Sequence, residues 1–122
     1  MPRVQEDPVR EKRIEMEIMV DAYDESERAM GWYYFLEDKL SFPFLARCIA
    51  KRPVSPLMKN EKVRVERMAP EEECEKEMFV MIVWQKRKLA VPLSQLEPLE
   101  VDTKTREAIE DWHYWAARGY QF

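Results

Sequence analysis

Apolar residues recur at helical spacing in the first third of the chain. Ile14, Ile18 and Ala22 stand four apart, and Met16, Met19 and Val20 widen the stripe. Asp24 can accept from the amides two and three residues on, which makes it a helix N-cap. Glu27 follows three residues later, as a capping-box partner would. A second helix then carries Met30, Tyr33, Tyr34 and Glu37 as far as Lys39 or Leu40, and Pro43 blocks its continuation. Residues 9–40 are therefore predicted as two helices with a break near Tyr23. The polar stretch 1–8, which contains Pro2 and Pro8, is expected to fray.

The period then changes. Phe44 to Ala50 is a short mixed apolar run, and Pro53 and Pro56 mark a connection. Val63 and Val65 alternate with Lys62, Arg64 and Glu66, the pattern of a half-buried strand. Met78 to Trp84 is apolar on both alternating faces and predicts a central strand covered on both sides. Gln85 to Lys88 reads as a turn. Leu89, Val91 and Leu93 form the next alternation, with Pro92 limiting its ladder. Ser94 to Leu99 leads through a turn into a last short strand. Short strands in succession predict a small antiparallel barrel over residues 44–100, of SH3-like type. From Asp102 the helical period returns. Ile109, Trp112 and Trp115 or Ala116 share a face up to Gly119, which predicts a helix over 102–119. The fold class is α+β: N-terminal helices, a small barrel and a C-terminal helix.

With 122 residues the chain forms one domain, and 46% hydrophobic residues are enough to close a core. Net charge is -4 with both signs interspersed. An acidic, mixed surface argues against nucleic acid, which calls for a basic face, and suits cation binding. The longest apolar run is seven residues, Met78 to Trp84, so no helix spans a bilayer. Met1 to Arg13 is charged and lacks the apolar centre of a signal peptide, so a cytoplasmic location is expected. In that compartment Cys48 and Cys74 are read as buried free thiols.

The residues of an enzyme are missing. His113, the sole histidine, sits between Trp112 and Tyr114 and reads as a packed or half-exposed helix residue. Two cysteines and one histidine fall short of a closed zinc site. Gly31 and Gly119 are the only glycines, too few for a phosphate loop. A catalytic role for His113 or Cys74 is the least supported reading.

Calcium takes six to eight oxygens from carboxylates, carbonyls and water. No EF-hand loop is present. Counted from Asp21, Ser26 stands where glycine is required, and counted from Asp24, Ala29 does. Three acidic clusters remain. Asp21, Asp24, Glu25 and Glu27 form the first, where Asp24 and Arg28, spaced i,i+4, read as a solvated salt bridge. Glu37 and Asp38 form the second. Acids at a helix C-terminus oppose the dipole and lie beside unpaired carbonyls, a placement that a cation would relieve. Glu71, Glu72, Glu73, Glu75 and Glu77 form the third, in the loop before the Met78–Trp84 strand.

Several segments together resemble one known family. They are Asp21-Ala22-Tyr23-Asp24, Gly31-Trp32-Tyr33-Tyr34-Phe35-Leu36-Glu37-Asp38 and Phe42-Pro43-Phe44. They continue with Met68-Ala69-Pro70-Glu71-Glu72-Glu73-Cys74, Leu89-Ala90-Val91-Pro92-Leu93-Ser94-Gln95-Leu96 and Asp111-Trp112-His113-Tyr114-Trp115. The chain is similar, over about residues 14–122, to the cyanobacterial calcium-binding proteins called CcbP. The resemblance implies a calcium-binding protein without EF-hands, acting as a cytosolic buffer or signalling regulator. It implies metal ligands at Asp38 and Glu37, within the matching Leu-Glu-Asp segment. Glu71, Glu72 and Glu73, in the matching segment after Pro70, come second. The alternative is an SH3-like interaction module whose partner is a protein and for which the ion is incidental.

Overall fold

The computed structural model describes residues 5–120 and 122. Helix α1 spans Pro8–Glu17 and α2 spans Glu25–Lys39. Strands β1 (Phe44–Cys48), β2 (Lys62–Met68), β3 (Phe79–Trp84), β4 (Arg87–Pro92) and β5 (Leu96–Leu99) follow, then α3 (Thr103–Ala117). Short 3-10 turns at Glu71–Cys74 and Leu93–Gln95 lie before β3 and β5.

Each helix starts on an aspartate. Asp7 accepts from the amides of Val9 and Arg10, with Pro8 in the first turn, where its missing N–H costs nothing. Asp24 accepts from Glu27 N at 2.8 Å, while the Glu27 carboxylate accepts from Tyr23 N, so the capping-box pair is one residue out of its usual register. Asp102 accepts from Thr105 N at 2.7 Å. Helix α3 stops at Gly119, whose φ of 81° is the left-handed conformation expected of a helix stop. The expected fraying of residues 1–8 is not what residues 7 and 8 show, since they open α1; residues 1–4 lie outside the described ones.

The first helix is shorter than its stripe. It ends at Glu17, and Asp21 turns the chain at φ 61°. Ile14 and Ile18 are buried, but Met16 and Val20 are exposed, because the stripe was wider than the surface available to cover it. Helices α1 and α2 approach closely at Gly31. A Cβ there would stand 2.6 Å from the Ile18 carbonyl oxygen, so only glycine fits.

The strands form one antiparallel sheet in the order β4-β3-β2-β1-β5. Among the described residues β4 and β5 are unpaired edges, so hydrogen bonds do not close the sheet and the expected barrel is corrected to an open sheet. Strand β2 is the central one. Strand β3 lies second from an edge, with Val80 and Ile82 buried and Phe79, Met81 and Val83 only half covered. Its continuous apolar run reported hydrophobicity on both faces, not equal burial. Val63, Val65 and Val91 join the core as expected, while Leu89 beside them stays half-buried on the edge strand. A bulge between Val65 and Arg67 bends β2.

Helices α2 and α3 meet through tryptophans. The Trp32 ring stands edge-on to Trp112 at 5.0 Å and lies 5.6 Å from Trp115, and Phe122 stacks on Trp115. The four tryptophans are structural: Trp32, Trp112 and Trp115 are buried, and Trp84 is half-buried and donates to Glu61 at 2.8 Å. Cys48 and Cys74 are buried free thiols.

Candidate metal centre

Helix α2 buries Trp32, Tyr33 and Leu36, which turns Tyr34, Glu37 and Asp38 to solvent. Glu37 and Asp38 make no hydrogen bond or ion pair with another described residue. They occupy the last turn, where the final carbonyls have no intrahelical donor. Asp38 lines a cleft of about 500 Å³ between the end of α1 and α2, shared with Glu17, Val20, Gly31, Tyr34 and Lys39.

The acidic loop before β3 is a 3-10 turn. Cys74 anchors it in the core and Glu71, Glu72 and Glu73 are left exposed. Glu71 and Glu72 border a cleft of about 410 Å³ with Glu25, Ser26, Ala29, Met30, Glu75 and Lys76. The first and third acidic clusters thus face each other across one cleft. Among the described residues Lys76 is the one basic residue in its lining. Glu73 borders neither cleft.

Tyrosines tie α2 to the turn that carries the third cluster. The Tyr34 hydroxyl donates to Glu71 Oε1 at 2.8 Å. That bond pushes the Tyr34 phenol up, and the charge of Glu37 adds to it. Tyr33 donates to the Ala69 carbonyl at 2.7 Å. Burial first, and the charge of Glu37 next, push its phenol up to about 12. Glu37 and Glu71 therefore both lie within electrostatic reach of these two phenols. Asp38 faces the other cleft. Among the described residues no three of His, Cys, Asp and Glu are close enough to form a ready coordination cage. The arrangement is two acidic clefts on either side of α2 rather than one preformed site. Its donors are all hard oxygens, the chemistry calcium selects. Sequence reasoning missed Glu17. It placed Glu25 in the first acidic cluster and Glu75 in the third but chose neither as a ligand, because nothing local said that the first cluster faced the 3-10 turn.

His113 is packed, as expected. Its Nε2 lies 3.2 Å from the Leu93 carbonyl oxygen, and burial lowers its pKa below 6.5. The unfolded chain then takes up a proton near 6.5 while the folded one stays neutral. Stability is expected to fall as pH drops below that value, until the folded histidine titrates as well. Melting temperatures between pH 7 and 5 should show this slope, and His113→Gln should flatten it whatever its effect on overall stability.

A family model for CcbP proteins, described as calcium binding, matches residues 12–116. The crystal structure of Anabaena CcbP is similar to this chain at 46% identity and TM-score 0.88, with all of each chain covered. A calcium-binding protein in its calcium-binding form is similar at 45% identity and TM-score 0.87, again over all of both chains. No curated protein matches the chain. These likenesses bear on the whole chain, not on one motif.

Proposed function

We propose how this protein holds its ion, from the premise that the chain belongs to the CcbP family and that its ligand is calcium. The family is a calcium-binding one, not an enzyme family. Calcium is bound by exposed carboxylates on both sides of α2. Asp38 and Glu37 provide donors at the helix end. Glu71, Glu72 and Glu73 provide them from the 3-10 turn, with Glu25 and Glu75 across the shared cleft. The observation that carries this reading is the facing of Glu25 and Glu75 with Glu71 and Glu72 around one cleft that holds a single lysine. Like charges crowded this way repel one another, and a divalent cation removes the repulsion.

The site completes itself on binding, with exposed carboxylates from both clefts and water filling the coordination. Such a protein serves as a calcium buffer or a signalling regulator in the cytoplasm. Among the described residues no helix is long and apolar enough to cross a membrane. The sheet order, the bulge in β2 and the 3-10 turn before β5 support an SH3-like reading of the open sheet.

Calorimetric titration of chelator-stripped protein tests the reading. Calcium should give a saturable heat that magnesium does not match, because magnesium demands rigid octahedral geometry. A Glu71→Gln, Glu72→Gln double variant should weaken binding by at least about tenfold, or 1.4 kcal/mol. Wild-type affinity in that variant and in Asp38→Asn would move the site elsewhere. A wild-type protein that binds no calcium would favour the interaction module.

A further inference from the structure

Two neighbouring tyrosines of α2 reach the same short segment. Tyr33 donates to the carbonyl of Ala69, at the exit of β2, in a buried bond of 2.7 Å. Tyr34 donates to Glu71 Oε1, in the turn itself, at 2.8 Å. The two rings stand edge-on, 5.6 Å apart at 87°, so Tyr33 braces Tyr34. The two bonds differ in what they can do. The Tyr33 bond satisfies a buried carbonyl and belongs to the fold. Tyr34 is 52% exposed and Glu71 is exposed too, so water could satisfy both groups. A contact that the fold does not need holds a glutamate that would otherwise sample many rotamers.

We infer that Tyr34 is a positioning residue for calcium: its hydroxyl holds the Glu71 carboxylate against α2, on the side where Glu37 lies, so that the ion meets an ordered donor. This rests on the proposed role of the acidic turn. The phenol occupies one lone pair of Oε1 and leaves Oε2 free. The carboxylate therefore keeps its charge and its capacity for metal while losing its freedom. Partners that orient metal ligands from behind in this way set affinity without touching the ion.

The test compares Tyr34→Phe, Tyr33→Phe, Glu71→Gln and the double variant Tyr34→Phe, Glu71→Gln. Each is titrated with calcium by calorimetry and melted in chelator. Tyr34→Phe should melt like the wild type without calcium and bind calcium about tenfold more weakly, the low end for loss of an outer partner. In the Glu71→Gln background the same change should have no further effect, because the carboxylate to be positioned is gone. A merely structural tyrosine would not show this dependence. Tyr33→Phe should do the opposite and lower the calcium-free melting temperature. Tyr34→Phe affinity within about twofold of wild type, alongside a weakened Glu71→Gln, overturns the inference and leaves the acidic-turn site standing. A loss that persists in the Glu71→Gln background also overturns it. Wild-type affinity in Glu71→Gln also overturns the inference, and the parent reading is then decided by the Glu71→Gln, Glu72→Gln double variant and Asp38→Asn.

Discussion

Asp111→Ala should cost about 3 kcal/mol of folding free energy, at the lower end of what breaking a buried ion pair costs. The Asp111 side chain is 0% exposed. It accepts from Arg10 Nη1 at 2.7 Å and from Arg13 at 2.7 and 3.0 Å, and these bonds tie α1 to α3. Helix α1 is also tied to α3 and the residues after it through Glu11, which accepts from the Tyr114 and Tyr120 hydroxyls, and through the Asp7 amide, which donates to Tyr114, while its apolar contact is small. Only Ile14 is buried within it, with Ile18 just beyond its end. The removal takes the shortest partner from two guanidiniums, but Arg10 keeps Asp7 and Glu110 within 4.0 Å, Arg13 keeps Glu107 at 3.7 Å, and both are about a fifth exposed (22% and 23%), which sets the lower end. The reverse experiment should be worse. Arg10→Ala with Arg13→Ala leaves a carboxylate that has no access to solvent, and an unpaired buried charge is the costlier remnant. Urea denaturation with unchanged m measures both. Hydrogen exchange should place the first loss of protection in α1. A cost under about 1 kcal/mol for Asp111→Ala would mean that Ile14, Ile18 and the Glu11–tyrosine bonds dock the helix without it.

Calcium at a hundredfold excess over its dissociation constant should stabilise the wild-type protein by about 2.7 kcal/mol for one site, if the unfolded chain does not bind it. For a chain of this length that is a melting shift of roughly 10 °C. Asp38→Asn should reduce the shift, since it keeps the shape but removes a charge that offsets the desolvation of the ion. Without calcium the same variant should melt slightly higher. Asp38 sits in the last turn of α2, where a negative charge opposes the dipole by about 0.3–1 kcal/mol. Opposite signs with and without the ion distinguish a ligand from a structural acid. A variant that melts lower in both conditions would give Asp38 a structural role. Differential scanning calorimetry in chelator and in calcium reads all of these outcomes.

The helices were legible because their signals are local. Asp24 as a cap, the break near Tyr23, Gly119 as a stop and the buried face of Ile109, Trp112 and Trp115 all follow from spacing within a few residues. The strands at Lys62–Met68 and Phe79–Trp84 were legible in the same way, from alternation or an apolar run. The family was legible too, because its matching segments are spread over most of the chain. Burial was less so. Val20 and Met16 are as apolar as Ile18 yet exposed, since burial depends on what the rest of the chain brings to each face.

The sequence by itself determined the element types, the α+β class, the free cysteines and a chain rich in hard oxygen donors. Only the tertiary structure decided which acids meet. Glu25 and Glu75 are fifty residues apart and share a cleft, whereas Asp38 lines the other cleft and its neighbour Glu37 lines neither. It also decided that β2, not β3, is the centre of an open sheet, and that Asp111 is a buried anchor for α1. The physical reason is the same in each case. Periodicity and capping depend on near neighbours along the chain, while pairing order and charge clustering depend on loop closure and on packing between distant segments, which no local spacing encodes.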